Sequence, residues 1–333
     1  MQRILGIETS CDDTAVAVIT STGKILSNIL SSQDDFHAKY GGIVPEVASR
    51  KHLELISVVV QEALTSAETT LSEIDLIAVT HGPGLVGSLL IGVDYAKTLS
   101  SLLGKPIIGV NHLEGHLLSP ALLHPEICFP FLGVIVSGGH TQCILVEGIG
   151  QYTILAETLD DACGEALDKF GKMLSIPYPA GPKIEKIALA GDPNVFSFPL
   201  PKIREKRFAF SFSGIKTAAS LIIQEMTPEE RENRKADLCA SFQEAVMKQI
   251  IHRIQQLIPL YSFSGIAFSG GVSANQRLRD LALQHVQKPV YFPSRILSTD
   301  NAAMIAHAGY QRYLINGPMA LDFPVISRLE LSQ

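Results

Sequence analysis

Ile4-Leu-Gly-Ile7, Glu8-Thr-Ser-Cys-Asp-Asp13 and Ala15-Val-Ala-Val-Ile19 read in succession as a strand, a small polar turn and a second strand. The same layout returns in Gly133-Val-Ile-Val136, Ser137-Gly-Gly-His140, Thr141 and Cys143-Ile-Leu-Val146. Glycine and threonine stand eight apart in both copies, Gly6 to Thr14 and Gly133 to Thr141. A supersecondary unit that recurs in this way marks an internal duplication, so the chain is read as two lobes, each opening on a hairpin. Turns this rich in small residues present backbone N–H groups and suit phosphate.

Strand and helix alternate between the hairpins. Asp75-Leu-Ile-Ala-Val-Thr80 is a strand, Leu85 to Leu103 an apolar helix and Pro106-Ile-Ile-Gly-Val110 another strand, which gives a βαβ unit and an α/β class. The intervening His81-Gly-Pro-Gly-Leu-Val-Gly87 lacks the lysine of a P-loop; its glycines serve either an anion at the helix N-terminus or plain helix–strand packing. Thr158 to Leu174 has helical spacing, with Ala162, Ala166, Phe170 and Leu174 on an apolar stripe and Asp161, Glu165 and Asp168 on an acidic one. Gly265-Ile-Ala-Phe268 leads through Ser269-Gly-Gly-Val272 into a further helix, a third strand-to-helix loop. Ile222 to Asn233 and Phe242 to Ile258 are read as amphipathic helices covering the sheet.

His112 and His116, in Asn111-His-Leu-Glu-Gly-His116, follow a strand at a spacing that places both imidazoles on one helix face. Imidazole suits zinc, iron or another borderline divalent ion, and a third donor has to come from a distant part of the chain. Asp300, in Ser298-Thr-Asp-Asn301, is the candidate. Two ordinary surface histidines are the alternative at this stage.

With 46% hydrophobic and 18% charged residues in 333, the chain is a compact globular protein rather than a disordered one. A net charge of −6 excludes a whole-surface grip on nucleic acid but leaves room for a local patch. Lys202, Arg204, Lys206 and Arg207 form one, either a solvated loop or a set of phosphate contacts. The five cysteines, an odd number without paired spacings, make neither a disulfide framework nor a structural zinc site. Met1 to Leu5 leads directly into a strand, and no run of about eighteen apolar residues occurs. A soluble, cytoplasmic protein without membrane contact is therefore expected.

Ile7-Glu-Thr-Ser-Cys-Asp12, Tyr40-Gly-Gly-Ile-Val-Pro-Glu46, the loop from His81 to Ser88, Asn111 to His116, Val136-Ser-Gly-Gly-His-Thr141, Ser211-Phe-Ser-Gly-Ile-Lys216, Ser269-Gly-Gly-Val272 and Thr299-Asp-Asn301 together resemble the TsaD family. The motifs run in order over nearly the whole chain. This resemblance implies duplicated ribonuclease-H-like lobes of the actin, sugar kinase and chaperone ATPase superfamily. It divides the chain into a first lobe over 1–130, completed by 300–333, and a second over 131–299 with the nucleotide-binding loops. The implied activity is transfer of a threonylcarbamoyl group from threonylcarbamoyl-adenylate to N6 of adenosine 37 in tRNAs that read codons beginning with A, with release of AMP. By motif match His112, His116 and Asp300 would hold one divalent metal, Fe2+ or else Zn2+. Ile135, Val136, Ser137, Gly138 and Gly139 would line the adenylate site, and Asp168, Gly181, Glu185 and Asn275 would contact the nucleotide or its threonyl portion. Asp12, in the first turn, is the candidate to assist removal of the N6 proton. Members of the bacterial type work with an inactive TsaB-like paralogue of the same fold and a TsaE-like P-loop ATPase, and they act on the tRNA anticodon loop. Departures from the usual motifs are Ala180 before Gly181, Ser298 before Thr299, Asp13 for glutamate and Glu185 for aspartate.

Three other functions compete. A zinc peptidase needs a glutamate directly after its first histidine, and Leu113 stands there. A kinase or ATPase of this fold commonly opens with aspartate where this chain has Glu8. A non-catalytic scaffold has no use for His112, His116 and Asp300 together.

Overall fold

The computed structural model describes residues 1–40, 42–199 and 208–331. One compact unit comprises Met1–Glu126, Ile149–Tyr152 and the chain from Thr299 onward. Its sheet contains β1 (Arg3–Glu8), β2 (Asp13–Thr20), β3 (Ile25–Ser32), β4 (Leu76–Gly82) and β5 (Ile107–Asn111), in the order β3-β2-β1-β4-β5. β1 runs antiparallel to β2 and parallel to β4. With these come α1 (Asp34–Ala38), α2 (Pro45–Ser66), α3 (Val86–Leu103) and α4 (His112–Leu118). Ile56, Val59 and Val60 of α2 and Val93 and Ala96 of α3 share a buried cluster with Leu5, Ile7, Val16 and Val18 of the hairpin. β1, β2 and β4 are buried on nearly every residue, as central strands covered on both faces must be, whereas the edge strand β3 carries Ser27, Asn28, Ser31 and Ser32.

The other unit, Ile127–Gly148 and Thr153–Ser298, carries β6 (Phe131–Val136), β7 (Thr141–Gly148), β8 (Gln151–Thr158, whose first two residues belong to the first unit), β9 (Phe208–Phe210), β10 (Ile266–Ser269) and β11 (Val290–Tyr291). Its sheet runs β11-β10-β6-β7-β8-β9, which is the strand order of the first sheet with β9 added at one edge. A constant shift of 127 residues carries Gly6↔Ala17 onto Gly133↔Ile144 and Ile7↔Val16 onto Val134↔Cys143. The duplication seen in the sequence thus extends to the hydrogen-bond register. The helices here are α5 (Cys163–Met173), α6 (Gly181–Ala188), α7 (Ser213–Glu225), α8 (Pro228–Asn233), α9 (Lys235–Leu257), α10 (Gln276–His285) and α11 (Arg295–Ser298). Phe170 of α5 stacks on Phe242 of α9 at 3.9 Å between centroids, at the middle of this core.

After α11 the chain returns to the first unit as α12 (Ala302–Asn316). Small residues let α12 lie directly on the first sheet. A Cβ on Gly6 would stand 2.3 Å from the carbonyl oxygen of Ala302, and one on Gly309 would stand 2.5 Å from Cβ of Ala78.

Three helical segments differ from what their periodicity suggests. Thr158 closes β8, and α5 starts only at Cys163, because Asp160 accepts from the backbone N–H of Phe212 at 2.7 Å and of Ser213 at 3.2 Å, at the start of α7. The segment Ile222 to Asn233 is interrupted: α7 ends at Glu225, Thr227 is extended before Pro228, and a Thr227–Glu230 capping box starts α8. The covering helix read from Phe242 begins at Lys235. Among the described residues no helix is long and apolar enough to cross a membrane.

Candidate active-site residues

β5 delivers the chain to Asn111, whose Oδ1 accepts from the N–H groups of Leu113 at 2.9 Å and Glu114 at 3.4 Å and so caps α4. The i, i+4 pair then lies on one face, the His112 and His116 rings meeting edge to face at 4.7 Å. Asp300 directly precedes Asn301, the N-cap of α12, which accepts from Met304 N at 3.0 Å. Asp300 Oδ1 lies 2.9 Å from His116 Nε2 and 3.6 Å from His112 Nε2. One donor atom from each of the three residues falls within 4.8 Å of the others. Two surface histidines are thereby excluded: both are buried.

Glu8 completes the arrangement, and no sequence pattern had assigned it a role in the site. At 1% exposure its carboxylate accepts from Ser10 N at 2.5 Å and Thr80 Oγ1 at 2.6 Å, and its Oε2 lies 2.9 Å from His112 Nδ1. Burial works to raise the Glu8 carboxyl, but the His112 charge and hydrogen bond outweigh it and hold the group below its ordinary value. Burial works equally against protonated His112, and the carboxylates of Glu8 and Asp300 prevail, pushing its pKa up to about 9. With Nδ1–H directed at Glu8, a neutral His112 would present the Nε2 lone pair toward Asp300, which is how carboxylates orient metal-binding imidazoles. His116 Nδ1 is buried with no hydrogen-bond partner among the described residues, its Nε2 facing Asp300. Two neutral imidazoles and a carboxylate oxygen fit one divalent ion and leave coordination positions open.

The turn after β1 is tied down by His52, whose Nδ1 lies 2.8 Å from Thr14 Oγ1 and whose Nε2 lies 3.0 Å from the Cys11 carbonyl oxygen. Burial raises Asp12 above the usual carboxylate range, with the charges of Asp300 and Asp34 adding to it and the Cys11 thiol opposing. Asp13 is pushed up to about 8 by burial and then by Asp300 and Asp12, and its Oδ1 is buried without a hydrogen-bond partner among the described residues. Close packing accounts for Gly84 in the loop after β4. Gly84 N donates to Ser327 O at 3.2 Å and Leu85 N to Ser10 O at 2.8 Å, and a Cβ on Gly84 would stand 2.5 Å from Ser10 O.

In the other unit, Ile135 and Val136 are fully buried in β6, backbone and side chain alike. The turn itself is open: a Cβ on Gly138 or Gly139 would meet nothing within 4 Å. α5 begins against this turn, with Gly164 N donating to Ser137 O at 3.0 Å and Cys163 N to Thr141 Oγ1 at 2.8 Å. A Cβ on Gly164 would stand 2.8 Å from Ser137 O, so only glycine lets the helix N-terminus come this close. Asp168 Oδ1 accepts from Ala180 N at 2.7 Å, at the start of α6, where Gly181 is the first residue. Glu185 on the same helix accepts from Gln276 N at 2.8 Å, and Asn275 caps α10 and donates to Gln243 Oε1 at 2.8 Å. Glu185, Gln243, Glu244, Gln276, Arg277 and Asp280 line a cavity of about 270 Å³. Of the acidic stripe read from the sequence, Asp161, just ahead of α5, pairs with Lys169 and Lys216, and Glu165 pairs with Lys169. The basic segment Lys202 to Arg207 lies outside the described residues.

Residues 24–307 match the TsaD family, tRNA N6-adenosine threonylcarbamoyltransferase. The chain belongs to this family. A tRNA N6-adenosine threonylcarbamoyltransferase of Clostridium novyi (strain NT) is 45% identical over 335 residues, covering 99% of this chain and 98% of that one. The protein of the same name from Bartonella henselae is 49% identical over 351 residues, covering 99% and 96%. Among solved structures, T. kodakarensis HypF is similar with a TM-score of 0.64 at 16% identity, covering 94% of this chain and 47% of that one. Component A of the Acidaminococcus fermentans (R)-2-hydroxyglutaryl-CoA dehydratase is similar with a TM-score of 0.54 at 13% identity, covering 94% and 100%. These two likenesses concern the fold alone, which TsaD shares with proteins of quite different chemistry.

Proposed function

We propose a specific course for the threonylcarbamoyl transfer to tRNA that membership of the TsaD family assigns to this chain. The donor is threonylcarbamoyl-adenylate and the acceptor N6 of adenosine 37. That base lies in the single-stranded anticodon loop, where presenting it costs less than opening a duplex. The exocyclic amine is a poor nucleophile, its lone pair being delocalised into the ring, so the acyl donor must carry a good leaving group. A mixed anhydride with AMP provides one. N6 attacks the carbamoyl carbon, the bond from that carbon to the phosphate oxygen breaks, AMP departs, and the N6 proton passes to Asp12. A carboxylate raised above its ordinary range is the better proton acceptor.

Backbone N–H groups of the Ser137–Gly139 turn hold the phosphate of the donor. Asp168, Gly181, Glu185 and Asn275 contact the adenosine or threonyl portion. His112, His116 and Asp300 hold one divalent ion, iron in preference to zinc, and Glu8 orients His112. When bound, that ion supplies Lewis acidity toward donor oxygens. The cellular setting is the cytoplasm, with a TsaB-like paralogue and a TsaE-like ATPase as partners.

The convergence of His112, His116 and Asp300 carries this reading over that of a scaffold. The peptidase reading is disfavoured because Glu114, the nearest carboxylate to the histidine pair in sequence, is engaged by Arg312 and Tyr152. The test is reconstitution with unmodified tRNA, threonylcarbamoyl-adenylate and the two partners, the nucleosides being read by mass spectrometry. Threonylcarbamoyladenosine that disappears with His112→Ala is expected. Absence of product with metal-loaded protein and bound tRNA would overturn the proposal.

A further inference from the structure

Glu114 stands between the two histidines on α4, yet its carboxylate faces other partners. Arg312 Nε, from α12, donates to its two oxygens at 2.7 and 2.9 Å, and the Tyr152 hydroxyl donates to Oε1 at 2.5 Å. The Glu114 side chain is 2% exposed and that of Arg312 23%. Gly150, at φ +77°, brings its α-carbon against the guanidinium, where a Cβ would lie 2.7 Å from Arg312 Nη1. A Cβ on Gly115 would lie 2.7 Å from Ile305 Cδ1, so the α4 backbone itself rests on α12.

A buried ion pair gains little over an apolar pair of the same volume, so stability alone is a poor reason for this one. α4 spans seven residues, too few for a helix to hold its own orientation. An imidazole nitrogen projects about 6 Å from a helix axis, so a twist of about 20° displaces it by about 2 Å. Metal–ligand distances tolerate only about 0.2 Å. Some contact away from the histidine face must therefore fix the rotation of α4, and the Glu114 carboxylate is fastened to the helix that begins directly after Asp300.

We propose that Arg312 and Tyr152, acting through Glu114, are positioning residues that set the rotation of α4 and so the approach of His112 and His116 to Asp300. The proposal rests on the reading of those three residues as metal ligands, and the experiment separates the two. The full chain is titrated with Co2+, and affinity and visible absorption bands are recorded for the unaltered protein, His112→Ala, Arg312→Met, Arg312→Lys and Tyr152→Phe. Thermal unfolding without metal checks that each variant is folded. Arg312→Met is expected to weaken Co2+ binding about tenfold, the scale seen when the groups supporting metal ligands are removed, and to shift the bands. Arg312→Lys should recover most of the affinity. Tyr152→Phe, which removes one oxygen and keeps the packing, should shift the bands in the same direction and serves if Arg312→Met fails to fold. An unaltered protein that binds no Co2+ overturns the metal reading and this one with it. Binding that His112→Ala abolishes, while folded Arg312→Met or Tyr152→Phe retains the original affinity and bands, overturns the positioning role alone.

Discussion

Asn111 donates its side-chain N–H to the carbonyl oxygen of Glu330 at 3.1 Å while its Oδ1 caps α4, so the segment after α12 is fastened to the residue that starts the histidine helix. That segment reaches it through Met319 N to Ile107 O at 2.9 Å and Ile326 N to His81 O at 2.8 Å. Asn111→Ala removes the cap and leaves the Glu330 carbonyl unpaired, at an expected cost of about 2 kcal/mol. Urea unfolding should show a lower midpoint with an unchanged slope. Asn111→Asp keeps the cap acceptor and should restore part of the loss.

Gly6→Ala tests the seat of α12. The added Cβ would stand 2.3 Å from Ala302 O and 2.9 Å from Ala306 Cβ, and both are held in a buried helix. Overpacking of this kind costs about 3 kcal/mol. A large drop in thermal midpoint is expected; a drop under a degree would show that α12 can shift without penalty.

His307, on α12, is held down to about 4 by burial, from an ordinary value of 6.5. Its folded pKa lies below the unfolded one, so the unfolded chain binds the extra proton. The contribution is full above about pH 6.5 and is lost as the pH falls toward 4, by up to about 3 kcal/mol. Stability measured in urea across this window should be flatter in His307→Gln than in the unaltered protein.

Glu185→Ala removes the carboxylate that accepts from Gln276 N at 2.8 Å beside the cavity. If that carboxylate also meets the donor, KM for threonylcarbamoyl-adenylate should rise about tenfold, the equivalent of one charge-assisted hydrogen bond, with kcat little changed. An unaltered KM would remove Glu185 from the donor site.

The hairpins were legible because alternation, turn composition and the spacing of Gly6 and Thr14 are all local, and the repeat at Gly133 and Thr141 supplied an independent copy. His112 and His116 were legible because one helical turn fixes their common face. The start of α5 and the break before α8 were misread, since side chains of Asp160 and Thr227 end the periodic pattern by hydrogen bonding to backbone. Glu8 lies 104 residues from His112 and Arg312 lies 198 from Glu114, and no local pattern announces either pair.

The sequence by itself determined the two hairpins, their duplication and the pairing of two imidazoles on one face, because the backbone period imposes these within a few residues. Only the tertiary structure decided that His112 turns one nitrogen to Glu8 and the other to Asp300, and that Gly84 after β4 serves close packing. Those outcomes depend on which distant groups packing brings to within about 3 Å, the range in which hydrogen bonds and metal ligands act.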